Sequence, residues 1–250
     1  MGAPLPQECR RDKHEVVAST KRPTSTTKRG SASPPRKASR GAPRAKKRDE
    51  YHHGDLRRAL VDEAVAMLTV DGRADFSLRD LARRLGVSHG APSHHFADKG
   101  ALLDAIAAEG FRGLADALLA AKALDASPTE RLAASGVAYV RFAVTHPAHV
   151  RVMFGKAPSD APSDECLAES LRAYKALLDL ATDAVGPGAT EDEVRRAVLV
   201  AWTSVHGLAL LWLDGEGPVR SMAGGTEEGI VAMAREVTDM LSTAISRQRR

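Results

Sequence analysis

Residues 77–96 read SLRDLARRLGVSHGAPSHHF, and the punctuation of this stretch decides the fold. Ser77 followed three residues later by Asp80 is a hydroxyl N-cap with a carboxylate able to reach back to it, the opening of a helix. Leu78, Leu81, Ala82 and Leu85 recur at helical spacing and give that helix one apolar face. Gly86-Val87-Ser88 breaks it, and a second short helix is predicted from about Ser88 to His95, anchored from behind by Phe96. Ala97-Asp98 then caps a long helix from Lys99 to about Lys122, with Leu103, Ile106, Phe111, Leu114 and Leu118 inward. Two short helices joined by a tight turn containing glycine let the second project from the body, the geometry by which a helix enters the DNA major groove. The same pattern also occurs in helical proteins that never meet DNA.

Outward from this core the pattern stays helical. On the N-terminal side, Leu56, Leu60, Ala64 and Leu68 recur every four residues and Asp71-Gly72 supplies a stop. On the C-terminal side, Ser127-Pro128-Thr129-Glu130 opens a helix that His146-Pro147 should end, because the residue before proline is pushed out of the α region. A shorter helix reaches Met153-Phe154-Gly155, a loop runs from Lys156 to about Asp164, and a helix from Glu165 to Val185 stops at Gly186-Pro187-Gly188. A capping box, Thr190 to Glu193, opens a long helix ending near Asp214-Gly215. Ile230, Met233, Val237, Met240, Leu241 and Ala244 trace one stripe of a last helix, 227 to about 246. Abundant Ala and Leu with 4% aromatic residues agree with an all-α chain.

Charge divides the chain. Residues 1–50 contain 14 Lys/Arg against 5 Asp/Glu with no sustained apolar period, and read as a disordered basic tail. Two roles stay open for it: sequence-blind attraction to phosphates, or a solubilising extension. The other 200 residues carry 22 Lys/Arg against 27 Asp/Glu, so the basicity is not that of the folded body.

Several function classes find little support. Cys9 and Cys166 sit in unlike surroundings, a polar tail and a loop-like stretch, and suggest neither a disulfide framework nor a metal spacing, which suits a reducing cytoplasm. No cofactor is expected. The N-terminus lacks the apolar core of an export signal. Ala197 to Leu213 carries no formal charge, but Thr203, Ser204 and His206 interrupt it, and burial between other helices is expected rather than a membrane span. Gly86-Val87-Ser88-His89-Gly90 fits the G-x-S-x-G pattern of a serine hydrolase, yet that elbow follows a strand and here a helix is predicted before it. His146 and His149 lack a third metal ligand. An enzyme is therefore not expected, and a helical adaptor that binds protein rather than DNA remains the other class.

If the second short helix meets DNA, Ser88, His89, Gly90, Ala91, Ser93 and His94 face outward, small and hydrogen-bonding, while Ser77, Arg79 and Lys99 sit where phosphates would run. Tyr139, Phe142, Met153, Phe154, Trp202 and His206 could line an apolar pocket with one polar contact, or simply pack a core.

From His53 to Gly110, the series Gly72, Ser77 to Ala82, Leu85 to Ser88, His95-Phe96, Asp98-Lys99 and Ala101 to Leu103 resembles, in order and spacing, the DNA-binding domain of the TetR family. Ser93 departs from it, standing where the family usually has Tyr. In the second half, Ala138 to Ala143, His146-Pro147, Met153 to Gly155, Trp202 and Val205 to Leu208 are similar to the ligand-binding domain subgroup named for its Trp, His and Gly. The resemblance implies a cytoplasmic homodimeric repressor of transcription that holds a near-palindromic operator and releases it when a small-molecule effector binds. It implies a helix-turn-helix domain over residues 51–114 and a ligand-binding and dimerisation domain over 115–247. The apolar surface of the last two long helices would then be shared with a second copy in a four-helix bundle.

Overall fold

The computed structural model describes residues 53–72, 74–155, 162–215 and 217–248. The basic tail and most of the loop expected after Gly155 lie outside them. Among the described residues every regular element is helical: α1 (His53–Asp71), α2 (Leu78–Leu85), a 3-10 turn (Ala91–His94), α3 (Lys99–Lys122), α4 (Pro128–Thr145), α5 (Pro147–Phe154), α6 (Asp164–Val185), α7 (Glu191–Leu213), α8 (Pro218–Met222) and α9 (Glu227–Gln248).

The caps read from sequence set these boundaries. Ser77, Ser127 and Thr190 each accept from the backbone N–H three residues on, and Asp80, Glu130 and Glu193 each return a bond to the cap's own N–H. Such a cap contributes about 1 kcal/mol at a helix start. Asp98 caps α3 through Ala101 N–H at 2.8 Å. Gly86 ends α2 in the left-handed region, φ 69°, with Val87 N–H returned to Ala82 carbonyl at 3.0 Å, a Schellman stop.

α1, α2 and the first half of α3 close around Leu56, Leu60, Ala64, Leu68, Leu81, Phe96, Leu102 and Ile106, all buried. The second half of α3 belongs to another core, where Leu114 and Leu118 meet Tyr139, Val140, Val205, Leu208 and Ile230. One rigid rod, α3, therefore runs from the small head into the larger helical body. Arg112 to Glu165 and Glu169, Arg172 to Asp116, and Lys122 to Asp179 tie α3 to α6 along its length. α5 braces the same junction: Ala148 enters the core of the head, His149 lies 3.7 Å from Glu109 of α3, and Arg151 donates to the Leu213 carbonyl at 2.9 Å.

Several expectations change. The helix expected from Ser88 to His95 contracts to one 3-10 turn, because Gly90 and Pro92 are poor helix formers and Pro92 has no N–H to donate. α8 has no counterpart in the sequence reading. Cys166, in the helix expected from Glu165, has no loop-like surroundings but is buried in the first turn of α6 against Ala107 and Ala108, and burial pushes its thiol up to about 11. α7 is buried on one side only. Val198, Val205, Leu208 and Trp212 face the core, while Leu199 (52%), Val200 (48%) and Leu211 (55%) are exposed, with no helix among the described residues covering them. α7 is long and apolar enough to cross a membrane by length and composition alone. On α9 the buried stripe is Ile230, Val231, Ala234 and Thr238, and Met240 is left 66% exposed.

Candidate nucleic-acid interface and internal cavity

The turn from Ser88 to His94 stands out from the head because both its ends are fixed. Val87 follows the Schellman stop, and Phe96, 3% exposed, is held in the head's core with the Arg57 guanidinium 5.2 Å above its ring. Ala91 N–H bonds the Ser88 carbonyl at 3.0 Å, Ser93 N–H the Gly90 carbonyl at 3.2 Å, and Phe96 N–H the Pro92 carbonyl at 2.9 Å. Of the residues expected to face outward, Ser88, His89, Gly90, Ser93 and His94 are exposed and Ala91 is half-buried. Buried Pro92 fastens the turn from inside.

Among the flanking residues, Arg79 is exposed on α2. Ser77 is exposed too, but its hydroxyl serves the cap, donating to Asp80 at 2.7 Å. The Asp80 carboxyl is held below the usual range, first by that hydroxyl and then by the Ser77 N–H. Lys99 is not brought to this surface: its ammonium bonds the Ala74 carbonyl and lies 5.1 Å from the Phe76 ring. Arg57, missed in the sequence, is exposed beside Phe96 and next to the turn. A cation one turn into α1 has no local signal linking it to a phenylalanine 39 residues away.

Behind α3 a cavity of about 240 Å³ opens between α3, α4, α6, α7 and α9. Tyr139, Phe154 and Trp202 line it as expected; Phe142, Met153 and His206 do not. Phe142 instead stacks on His146 at 4.7 Å and closes over Gly113. Met153 fills the space above Gly110, where any side chain would collide with its sulfur. His206 stands one layer back, its Nδ1 2.6 Å from the Tyr139 hydroxyl. Burial raises the Tyr139 pKa well above the ordinary phenol value and lowers that of His206, so the pair is neutral. Phe111, Leu114 and Leu118 of α3 form one wall.

Comparison with known protein families matches residues 60–106 to bacterial regulatory proteins of the tetR family, and residues 132–244 to the tetracyclin repressor-like C-terminal domain. Together the two segments make up more than half of the chain, in the order and on the elements just described.

The chain belongs to the TetR family of transcriptional regulators.

Within the TetR family, the chain is similar to the HTH-type transcriptional regulator BetI of Cronobacter sakazakii, 41% identical over 64 residues. That match spans 26% of this chain and 32% of BetI, about a third of that regulator's length. A solved protein of unknown function from Rhodococcus sp. RHA1 is 35% identical with a TM-score of 0.59, covering 78% of this chain and 100% of that one. The TetR family regulator PfmR of Thermus thermophilus, 22% identical, agrees in fold, with a TM-score of 0.57 over 73% of this chain and 92% of PfmR. The sequence-read TetR resemblance is thus upheld for the family.

Proposed function

We propose that this TetR-family chain is a ligand-responsive repressor. As a homodimer it holds a near-palindromic operator through the Ser88–His94 turn, and it lets go when a small molecule fills the cavity behind α3. The observation that carries the reading is α3 itself. Its first half supplies Leu102 and Ile106 to the core that fixes the turn, and its second half supplies Phe111, Leu114 and Leu118 to the cavity wall. A molecule that fits one α3 position better than another shifts the population of reading heads by its differential affinity. α5 follows the same path, with Phe154 on the cavity and Ala148 in the head.

Within the turn, His89, Ser93 and His94 read base edges, while Gly90 and Ala91 allow close approach; Arg79 and Arg57 meet backbone phosphates, and Ser77, its hydroxyl and N–H both given to Asp80, holds the start of α2 beside them. The reading divides the chain into a DNA-binding part, 51–114, and a ligand and dimerisation part, 115–247; the presence of two cores supports it, with Leu114 in the second core and Ala148 in the first. Trp202, His206 and Gly207 on α7 support the ligand-domain subgroup named for those residues. A second copy covers α7 and α9. Val200, Ser204, Gly207 and Leu211 are spaced i, i+4, i+7, i+11 on one face of α7, with exposed Met240 on α9. Pairing these helices as a four-helix bundle removes that apolar surface from water and sets two turns at half-sites about 34 Å apart or a multiple of it. Such a protein works in the cytoplasm.

Fluorescence anisotropy with duplexes tiled across the DNA upstream of the chain's own gene tests this. One duplex should bind two chains with a specific affinity at least about a thousandfold above random sequence. Equal affinity for every duplex, or none at low salt, contradicts it.

A further inference from the structure

The cavity has a one-sided chemistry. Among the described residues that line it, none is Asp, Glu, Lys, Arg or His. Its serine and threonine hydroxyls are turned back on their own helices: Ser135 donates to Leu132 carbonyl at 2.7 Å, Ser170 to Leu167 at 2.8 Å, Thr238 to Ala234 at 2.9 Å and Ser242 to Asp239 at 3.0 Å, while the Tyr174 phenol stands at the exposed edge. Tyr139 is engaged by His206 and has the Trp202 indole as its second hydrogen-bonding neighbour. The oxygens of Ser135, Ser170 and Thr238 keep lone pairs after donating their one hydrogen. The wall therefore accepts hydrogen bonds and has few to give.

We infer that the molecule filling this cavity is neutral, mostly apolar and carries a hydroxyl hydrogen to donate, as a phenol or alcohol does. The inference rests on reading the cavity as the effector site. Among the described lining residues a carboxylate would meet no cation and only the Tyr174 phenol at the exposed edge to donate to it, too little to replace its lost hydration. A quaternary ammonium ion needs open aromatic faces around it. Here Phe111 meets Phe154 edge to face at 5.7 Å and Phe154 leans on Trp202 at 6.3 Å, so the rings pack on one another along one wall. A cavity of about 150 Å³ lined by Leu, Ile and Phe accepts benzene; at about 240 Å³ this one has room for two fused rings. Tyr174 both lines the cavity and is half-exposed, with exposed Leu171 close to it on α6, which gives an apolar ligand an apolar way in.

The experiment is calorimetric titration of the full chain with four probes of matched shape: 1-naphthol, 1-methylnaphthalene, 1-naphthoate and 1-naphthylmethyl-trimethylammonium. 1-Naphthol should bind on the order of tenfold more tightly than 1-methylnaphthalene, and the two ions should bind far more weakly than either. In a Ser135→Ala/Ser170→Ala/Thr238→Val/Ser242→Ala chain that melts as the parent does, 1-naphthol should lose its advantage while 1-methylnaphthalene still binds. An ion binding as tightly as 1-naphthol, no binding by any probe, or an advantage that survives in the fourfold variant would overturn the inference and leave operator binding untouched as a separate question. Binding of 1-naphthol that never loosens the operator complex in anisotropy would uphold the ligand class and sink the regulatory reading instead.

Discussion

Gly86 and Gly90 flank Ser88 and offer a comparison in which almost everything cancels. A Cβ added at either glycine meets nothing within 4 Å, so neither Gly86→Ala nor Gly90→Ala creates a clash. They differ in backbone: Gly86 sits at φ 69° and Gly90 at φ −86°, ψ −15°. Alanine in the left-handed region costs about 1–2 kcal/mol. Both substitutions also restrict the unfolded chain, which stabilises by about 0.4–1 kcal/mol where the native backbone is compatible. That contribution is common to the two, so Gly90→Ala should be stabilised, Gly86→Ala destabilised or unchanged, and their separation about 1–2 kcal/mol. At roughly 2–4 °C per kcal/mol for a chain of this size, the melting temperatures should differ by about 2–8 °C. Thermal melts by circular dichroism read this directly. The new methyl at residue 90 projects where DNA would approach, so Gly90→Ala should melt higher and yet bind operator more weakly. Equal melting temperatures, or the reverse order, would refute the account of how α2 stops and the turn begins.

Other expected outcomes follow from packing and charge. A Cβ at Gly136 would stand 2.6 Å from Thr238 Cγ2 and 3.1 Å from Val205 Cγ1, so Gly136→Ala should lose about 1–3 kcal/mol in urea unfolding; Gly110→Ala should lose less, because the flexible Met153 side chain can withdraw. Burial holds the His149 pKa below the ordinary imidazole value, with Glu109 opposing it and His146 and Arg58 adding to it. The unfolded chain then binds the proton first, so stability is present above about pH 6.5 and falls as pH drops through that value toward the folded pKa. His149→Gln should flatten the dependence of melting temperature between about pH 7 and pH 5; an unchanged slope would assign the effect elsewhere. Leu211→Glu places a charge on the exposed face of α7, and sedimentation should find that variant monomeric with operator affinity reduced, whereas a dimer of undiminished affinity would move the interface off α7.

How much was legible depended on whether the signal was local. The caps at Ser77, Asp98, Ser127 and Thr190 act within three or four residues, and the helices they open begin where the sequence places them. The four-residue period Leu56, Leu60, Ala64, Leu68 marks the buried face of α1 for the same reason. The turn at Ala91–His94 is harder to read, because its shape depends on two fixed ends as well as on Gly90 and Pro92. Periodicity says which face of a helix is inside but not which inside atoms border a void. It therefore groups Phe142 and Met153 with Tyr139 and Phe154, though the first two fill the spaces over Gly113 and Gly110. The partners of His206 and Lys99 lie 67 and 25 residues away, and only the fold brings them together.

The claim on which the rest depends is that the exposed side chains of the Ser88–His94 turn read base edges. Its most direct test is the ratio of operator to random-duplex affinity for a His89→Ala/Ser93→Ala chain, measured by anisotropy across a salt series. Loss of base contacts should cut operator affinity by about 1–3 kcal/mol per contact, leave random-duplex binding intact, and keep the salt dependence of the parent. A ratio equal to the parent's would contradict the account.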